Sequence, residues 1–189
     1  MNTTTPTREE QATNQYRQDR DHDRREADRK WATKTISEWH NMLDDKQTAG
    51  PHPELKALIR ENLAIRDALI IASIDKTRTT GQLVSTVVNA HSARTKLTMQ
   101  TILRDAYTTG QFDRQRCSKA IQLVDQLAET EDAYSAQPLA IAAWLEWISG
   151  NTLDAMTHAA HALTLDEDCT LAAIIHAASS QGMRPAYLD

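Results

Sequence analysis

The sequence predicts an all-α fold, a helical bundle that closes in antiparallel helix pairs and opens with a disordered or solvated tail. Three observations carry this. The chain has only five Gly and five Pro in 189 residues, so helices meet few interruptions. From residue 31 onward, apolar residues recur at i, i+3, i+4 and i+7, the period of a helix with one buried face. Aromatics make up 5% of the chain, and Val, Ile and Thr never alternate with polar residues over a long run. A β-sandwich or barrel is thereby excluded.

Residues 1–30 form the expected tail. They hold seven Lys/Arg, seven Asp/Glu, one aromatic (Tyr16) and no Leu, Ile, Val or Phe. So little apolar area does not offset the entropy lost on ordering, and alternating charges suit a solvated segment. The charges cancel, which argues against an arm for nucleic acid. Residues 31–189 form one helical domain, with leading helices over 31–80 and a second helical region over 81–189.

Trp31, Thr35, Trp39, Met42 and Leu43 lie at helical spacing, and Gly50-Pro51-His52-Pro53 is a strong stop. Pro53 opens the next helix, with Leu55, Leu58 and Ile59, and the run from Leu63 to Ile74 is apolar nearly all round. A loop over 77–81 follows. Leu83, Val84, Val87 and Val88 make one stripe, and Met99, Ile102, Leu103, Ala106 and Tyr107 another that ends at Gly110. Cys117, Ala120, Ile121, Val124, Leu127 and Ala128 give the cleanest amphipathic pattern, with Asp113 or a neighbour as its N-cap. After a loop over 130–137, Pro138 opens a helix that Gly150 ends. An Ala-rich helix runs from about Leu153 to Leu165, and a last one carries Leu171 to Ala178 with Gly182 as a left-handed cap.

The stretch from Gly150 to Asp166 is similar to the second half of a tetratricopeptide repeat. Gly150, Ala155, Ala162, Leu163 and Asp166 occupy that repeat's turn, small and terminal positions, while Glu167 replaces its proline. A second resemblance covers roughly residues 63–185. The order RDALIIASI (66–74), AWLEWISGN (143–151), AHALTLDED (160–168) and LAAIIHAASSQGMRP (171–185) resembles the C-terminal part of the actinobacterial domain-of-unknown-function 4192 family. That resemblance implies a helical fold, brings no catalytic residues, and finds no counterpart here for the family's longer α/β N-terminal half.

The formal charge of −5 opposes sequence-independent binding to nucleic acid. The N-terminus has no basic flank before an apolar run, and the longest apolar stretch, Leu139 to Leu145, is far short of a membrane span. Cys117 and Cys169 lie far apart with no CxxC partner, which fits reduced thiols in a cytoplasmic protein. A helix-turn-helix drawn across 83–107 would offer only Arg94, Lys96 and Arg104 as its basic side.

No glycine-rich phosphate loop, GxSxG or HExxH is present, so catalysis has no motif behind it and no cofactor is expected. His158 and His161 are three apart on one helix and are the candidates for a metal, with Asp166, Asp168, Cys169 and His176 close enough in sequence to complete a site, though the motif context for one is missing. The expected function is a non-enzymatic interaction module that takes a protein or peptide partner, with self-association left open. Its partner-binding candidates are Trp144, Glu146 and Ile148 on one helix, with Asp166 and Asp168 in the acidic turn attracting a basic segment. The competing classes are a metal- or small-molecule-dependent enzyme at His158/His161 and a nucleic-acid-associated regulator.

Overall fold

The computed structural model describes residues 5–46 and 49–189, and every described element of regular structure is helical. Helix α1 spans Arg8–Leu43 and is broken once, at Asp23, whose backbone is extended (φ −148°, ψ 99°). Thr7 and Glu10 close a reciprocal capping box at its start. At the break the Asp23 carboxylate accepts the Glu26 N–H at 3.0 Å, so Asp23 caps the second limb as a fresh helix start.

The two limbs meet. The Tyr16 O–H donates to Asp28 Oδ1 at 2.5 Å, and the Trp31 indole N–H donates to Asp19 Oδ2 at 2.8 Å. Tyr16 is fully buried and forms a small core with Ala27, Trp31 and Leu58. The expected solvated tail is therefore corrected from Arg8 on: residues 8–22 pack against α1's second limb and the helix that follows, and residues 24–30 begin that second limb. Residues 1–4 of that tail lie outside the described residues. The reason is local. One aromatic with a hydrogen-bonded phenol, flanked by buried alanines and the bidentate Arg17–Glu61 pair at 2.7 and 2.8 Å, holds a limb whose average composition is polar.

Helices α2 (Glu54–Glu61) and α3 (Leu63–Ile74) are divided by Asn62. Its side chain accepts from Ala64 N–H and donates to the Tyr16 hydroxyl at 2.8 Å, so one residue caps α3 and secures the first limb. Helices α4 (Thr80–Val88), α5 (Ala93–Thr109) and α6 (Arg114–Ala128) follow, capped by Thr79, Ser92 and Asp113. Helix α7 spans Ala136–Ser149, two residues earlier than Pro138, because a proline is tolerated in the first turn. Helices α8 (Thr152–Leu165) and α9 (Thr170–Ser180) complete the chain with a 3-10 turn, Ala186–Leu188.

Helix α7 is apolar around most of its girth, and ten of its residues are buried. One side, with Ile141, Leu145 and Ile148, joins the main core built from α1 to α6. The other, with Ala140 and Ala143, meets Ala155, Ala159 and Ala162 of α8, where side chains of one methyl let two helices approach closely. Trp144 and Trp147 pack between the two cores. Among the described residues no helix is long and apolar enough to cross a membrane.

Helix α5 is the least committed element. Of its 17 residues only Ala106 is buried. Its C-terminal end is clamped: Tyr107 stacks on Trp147, and Gly110 in left-handed conformation (φ 65°) leaves room for the Tyr187 ring. A Cβ at Gly110 would come within 2.7 Å of that ring. The N-terminal half of α5, with Arg94, Lys96, Leu97 and Gln100, is exposed.

Candidate binding groove around Trp144

Under that exposed half of α5 lies a cavity of about 310 Å³, walled also by α3, α4, α7 and α9. Ile70, Met99, Leu103, Trp144 and Leu171 supply apolar surface, and Asp67, Lys96 and Gln100 supply polar groups. Ligand cavities commonly have this constitution, apolar walls with a few polar groups, at volumes of roughly 300–1,000 Å³. Each wall follows from the sequence locally. The α3 and α7 faces are core runs that continue past the covered region, and Met99 and Leu103 are one turn of the α5 stripe.

Trp144 stands apart from the other tryptophans. The indole N–H groups of Trp31, Trp39 and Trp147 donate to Asp19, Ser73 and the Met183 carbonyl. The Trp144 indole donates to no group among the described residues. A half-buried indole with its donor unspent, in the wall of an apolar cavity, is equipped to bind something amphipathic.

The other expected partner-binding residues do not join it. Ile148 is wholly buried in the main core and is corrected to a packing residue, because α6 and α3 close over that side of α7. Glu146 accepts the Asn151 amide at 2.5 Å and braces the turn into α8. Asp166 Oδ1 accepts the Asp168 N–H at 3.1 Å and shapes the turn into α9, where Asp168 is exposed. Neither the acid on α7 nor the acidic turn lines the cavity. Met99, Lys96 and Leu171 do line it. The sequence shows Met99 as one member of a core stripe, and nothing in its spacing distinguishes a stripe that lines a cavity from one that fills it.

His158 and His161 face α6 and its following turn but reach different acids. His158 Nε2 lies 3.2 Å from Asp125 Oδ1, and His161 Nε2 lies 3.6 Å from Glu131 Oε1. Among the described residues no three His, Cys, Asp or Glu side chains converge as metal ligands. Both thiols are free and buried. Burial pushes the Cys117 thiol up to about 11 against a lowering contact with Ser149, and burial raises Cys169 as well, so neither is an activated nucleophile.

His158 makes a testable contribution. Its hydrogen bond to Asp125 raises its pKa above the ordinary histidine value, with burial opposing. A raised folded pKa gives stability that is fully present below the unfolded value, near 6.5, and is lost as pH rises through the folded value. His158→Gln is therefore expected to cost up to about 1 kcal/mol at pH 6, because Asp125 is half exposed, and less at pH 9. Urea midpoints of both proteins at the two pH values check this. His40, whose pKa burial lowers, is present in both and cancels in the difference.

No curated protein and no solved structure matches the chain. A family model described as a domain of unknown function, DUF4192, matches residues 1–186. The match takes in α1 and α2 as well as the segment over 63–185 that carries the resemblance in sequence. On that match, which spans essentially the whole chain, this protein belongs to the DUF4192 family.

Proposed function

We propose that this chain is a helical, non-enzymatic interaction module that receives a bulky apolar group of a protein or peptide partner in the cavity beside Trp144. The α7–α8 pair, with its Gly150 turn and alanine faces, acts in this reading as a tetratricopeptide-like unit that holds the rim of that cavity. The observation that carries the proposal is the half-buried Trp144 indole in the cavity wall, its N–H bonded to no group among the described residues. Tryptophan is enriched among residues that dominate interface energetics, because it buries a large area and still offers a donor. The weak attachment of α5's N-terminal half supports the same reading, since a wall with few buried contacts yields to an incoming group at little cost.

The test is site-directed crosslinking in the native cell. A photoreactive phenylalanine analogue at Gln100, exposed on the cavity rim, is expected to trap a discrete protein. The same analogue at Thr157, exposed on α8, is expected to trap none, and Met99→Arg should abolish the Gln100 adduct. Equal yields at Gln100 and Thr157, or an adduct indifferent to Met99→Arg, would remove the cavity as the binding site.

A further inference from the structure

We infer that the segment anchored beside Trp144 is an acidic peptide, with carboxylates flanking its apolar anchor residue; this rests on the binding reading above. Charge is segregated along this part of the chain. From Lys76 to Arg104 the chain carries five Lys/Arg and no Asp or Glu, within a protein of net charge −5. Lys76 and Arg78 are held by Asp113 and Asp75, and Arg104 lies 3.5 Å from its neighbour Asp105. Arg94 and Lys96 are exposed and have no ion-pair partner among the described residues.

Both sit where a ligand of the Trp144 cavity would pass. Lys96 lines the cavity itself. Arg94 lines an adjoining crevice of about 590 Å³ between α4 and α5, which shares Thr86, Thr95 and Met99 with the cavity. That crevice is walled by hydroxyl, amide and apolar side chains together with Arg78, and among the described residues no carboxylate lines it. Among the described residues the one carboxylate on the cavity, Asp67, is neutralised by the Arg66 guanidinium, whose Nε and Nη2 both donate to it at 2.9 and 2.8 Å. The start of α5 adds the partial positive charge of a helix N-terminus to the same place.

The rim of an apolar cavity is thus positive, and its charges are uncompensated. An acidic amphipathic segment satisfies both features at once. Two free cations neutralise few phosphates and release few counterions, so they supply a phosphate backbone with little affinity. The Glu146 and 166–168 carboxylates, which in sequence suggest a basic partner, lie off this rim.

The experiment measures binding of short fluorescent peptides to the full chain by polarisation. One peptide carries a Phe flanked by Glu, a second the same Phe flanked by Lys, and a third Ser in place of Phe with the Glu retained. The acidic Phe peptide is expected to bind about tenfold more tightly than its Lys counterpart, with the gap narrowing as salt is raised. Arg94→Glu with Lys96→Glu should reverse that preference. Both positions are exposed and unpaired, and circular dichroism together with Arg94→Gln and Lys96→Gln controls for folding. Equal binding of the two Phe peptides would overturn the charge inference and leave the cavity reading standing. Absence of binding by either, or no loss with the Ser peptide, would overturn both. Binding of duplex DNA that the double charge reversal abolishes, without peptide binding, would reassign the patch to nucleic acid.

Discussion

Deleting residues 1–22 is expected to lower stability by about 3–5 kcal/mol, the cost of losing a buried aromatic, rather than release an unchanged core. The first limb of α1 brings Tyr16, wholly enclosed, against Ala27, Trp31 and Leu58. Removing it opens those three to water and strips Asp28, only 7% exposed, of the Tyr16 hydroxyl. A loss of that size corresponds to roughly 10 °C in melting temperature for a chain of this length. Tyr16→Phe isolates the polar share: the ring stays, Asp28 keeps its neighbours Arg20 and Asn62, and the expected cost is about 1–3 kcal/mol.

Limited trypsin digestion separates the two pictures of this region. Arg24 and Arg25 stand at the exposed break and should be cut first. Arg17 and Arg20, within the packed limb and paired with Glu61 and Asp28, should be cut only as the protein unfolds. Early cleavage at all four, leaving a fragment from residue 26 that melts like the intact chain, would restore the solvated tail.

How much of this was legible in the sequence depended on whether the signal was local. The Asp113 cap of α6, the Gly150 and Gly182 turns and the stripe from Cys117 to Ala128 are short-range patterns, and the structure has them where the spacing implies. The fold of the first limb was obscured by averaging. Composition over 30 residues hides one aromatic whose partners, Asp28 and Asn62, are 12 and 46 residues away. A local clue was present in Asp23 with Glu26 three residues later, an N-terminal helix signature inside a charged run. At the candidate site the limit was different. Helix α7 is apolar on every side, so its pattern does not rank Trp144 above Ile148; only the placement of α6 over one side and the looser α5 near the other separates them. The positive rim is visible as sequence, but it acquires meaning only when α5 is seen standing free.

Replacing Lys56 is expected to be among the most damaging single changes in the protein. Its side chain is 2% exposed, yet it belongs to α2 and its Nζ reaches three other places. It donates to Asp132 Oδ2 at 2.6 Å and to the Thr130 hydroxyl, both in the turn between α6 and α7, and lies 3.4 Å from Glu9 Oε1 at the start of α1. One buried cation thus ties together the first limb, the second helix and the entrance to α7. Lys56→Ala leaves Glu9 and Asp132 without a counter-charge; breaking a fully buried pair costs about 3–5 kcal/mol, and because Asp132 is 38% exposed the cost here falls below that. Lys56→Met keeps most of the volume and removes the cost of desolvating the ammonium, so it should cost less than Lys56→Ala. The pH dependence carries a sign. Burial alone would raise the Asp132 carboxyl, but the Lys56 ammonium and the Tyr134 N–H outweigh it and hold the pKa below the ordinary value of 3.8. A depressed folded pKa gives stability that is present above the unfolded value and is lost as pH falls through the folded one. In Lys56→Met the burial that raises Asp132 is no longer opposed by the ammonium, so that carboxyl titrates above its wild-type value, and the gap between the two proteins should begin to narrow from that higher value as pH falls. Denaturant midpoints from pH 8 to pH 3 decide the matter: a gap that does not change with pH, or Lys56→Ala as stable as the wild type, would show that the fold does not depend on this charge.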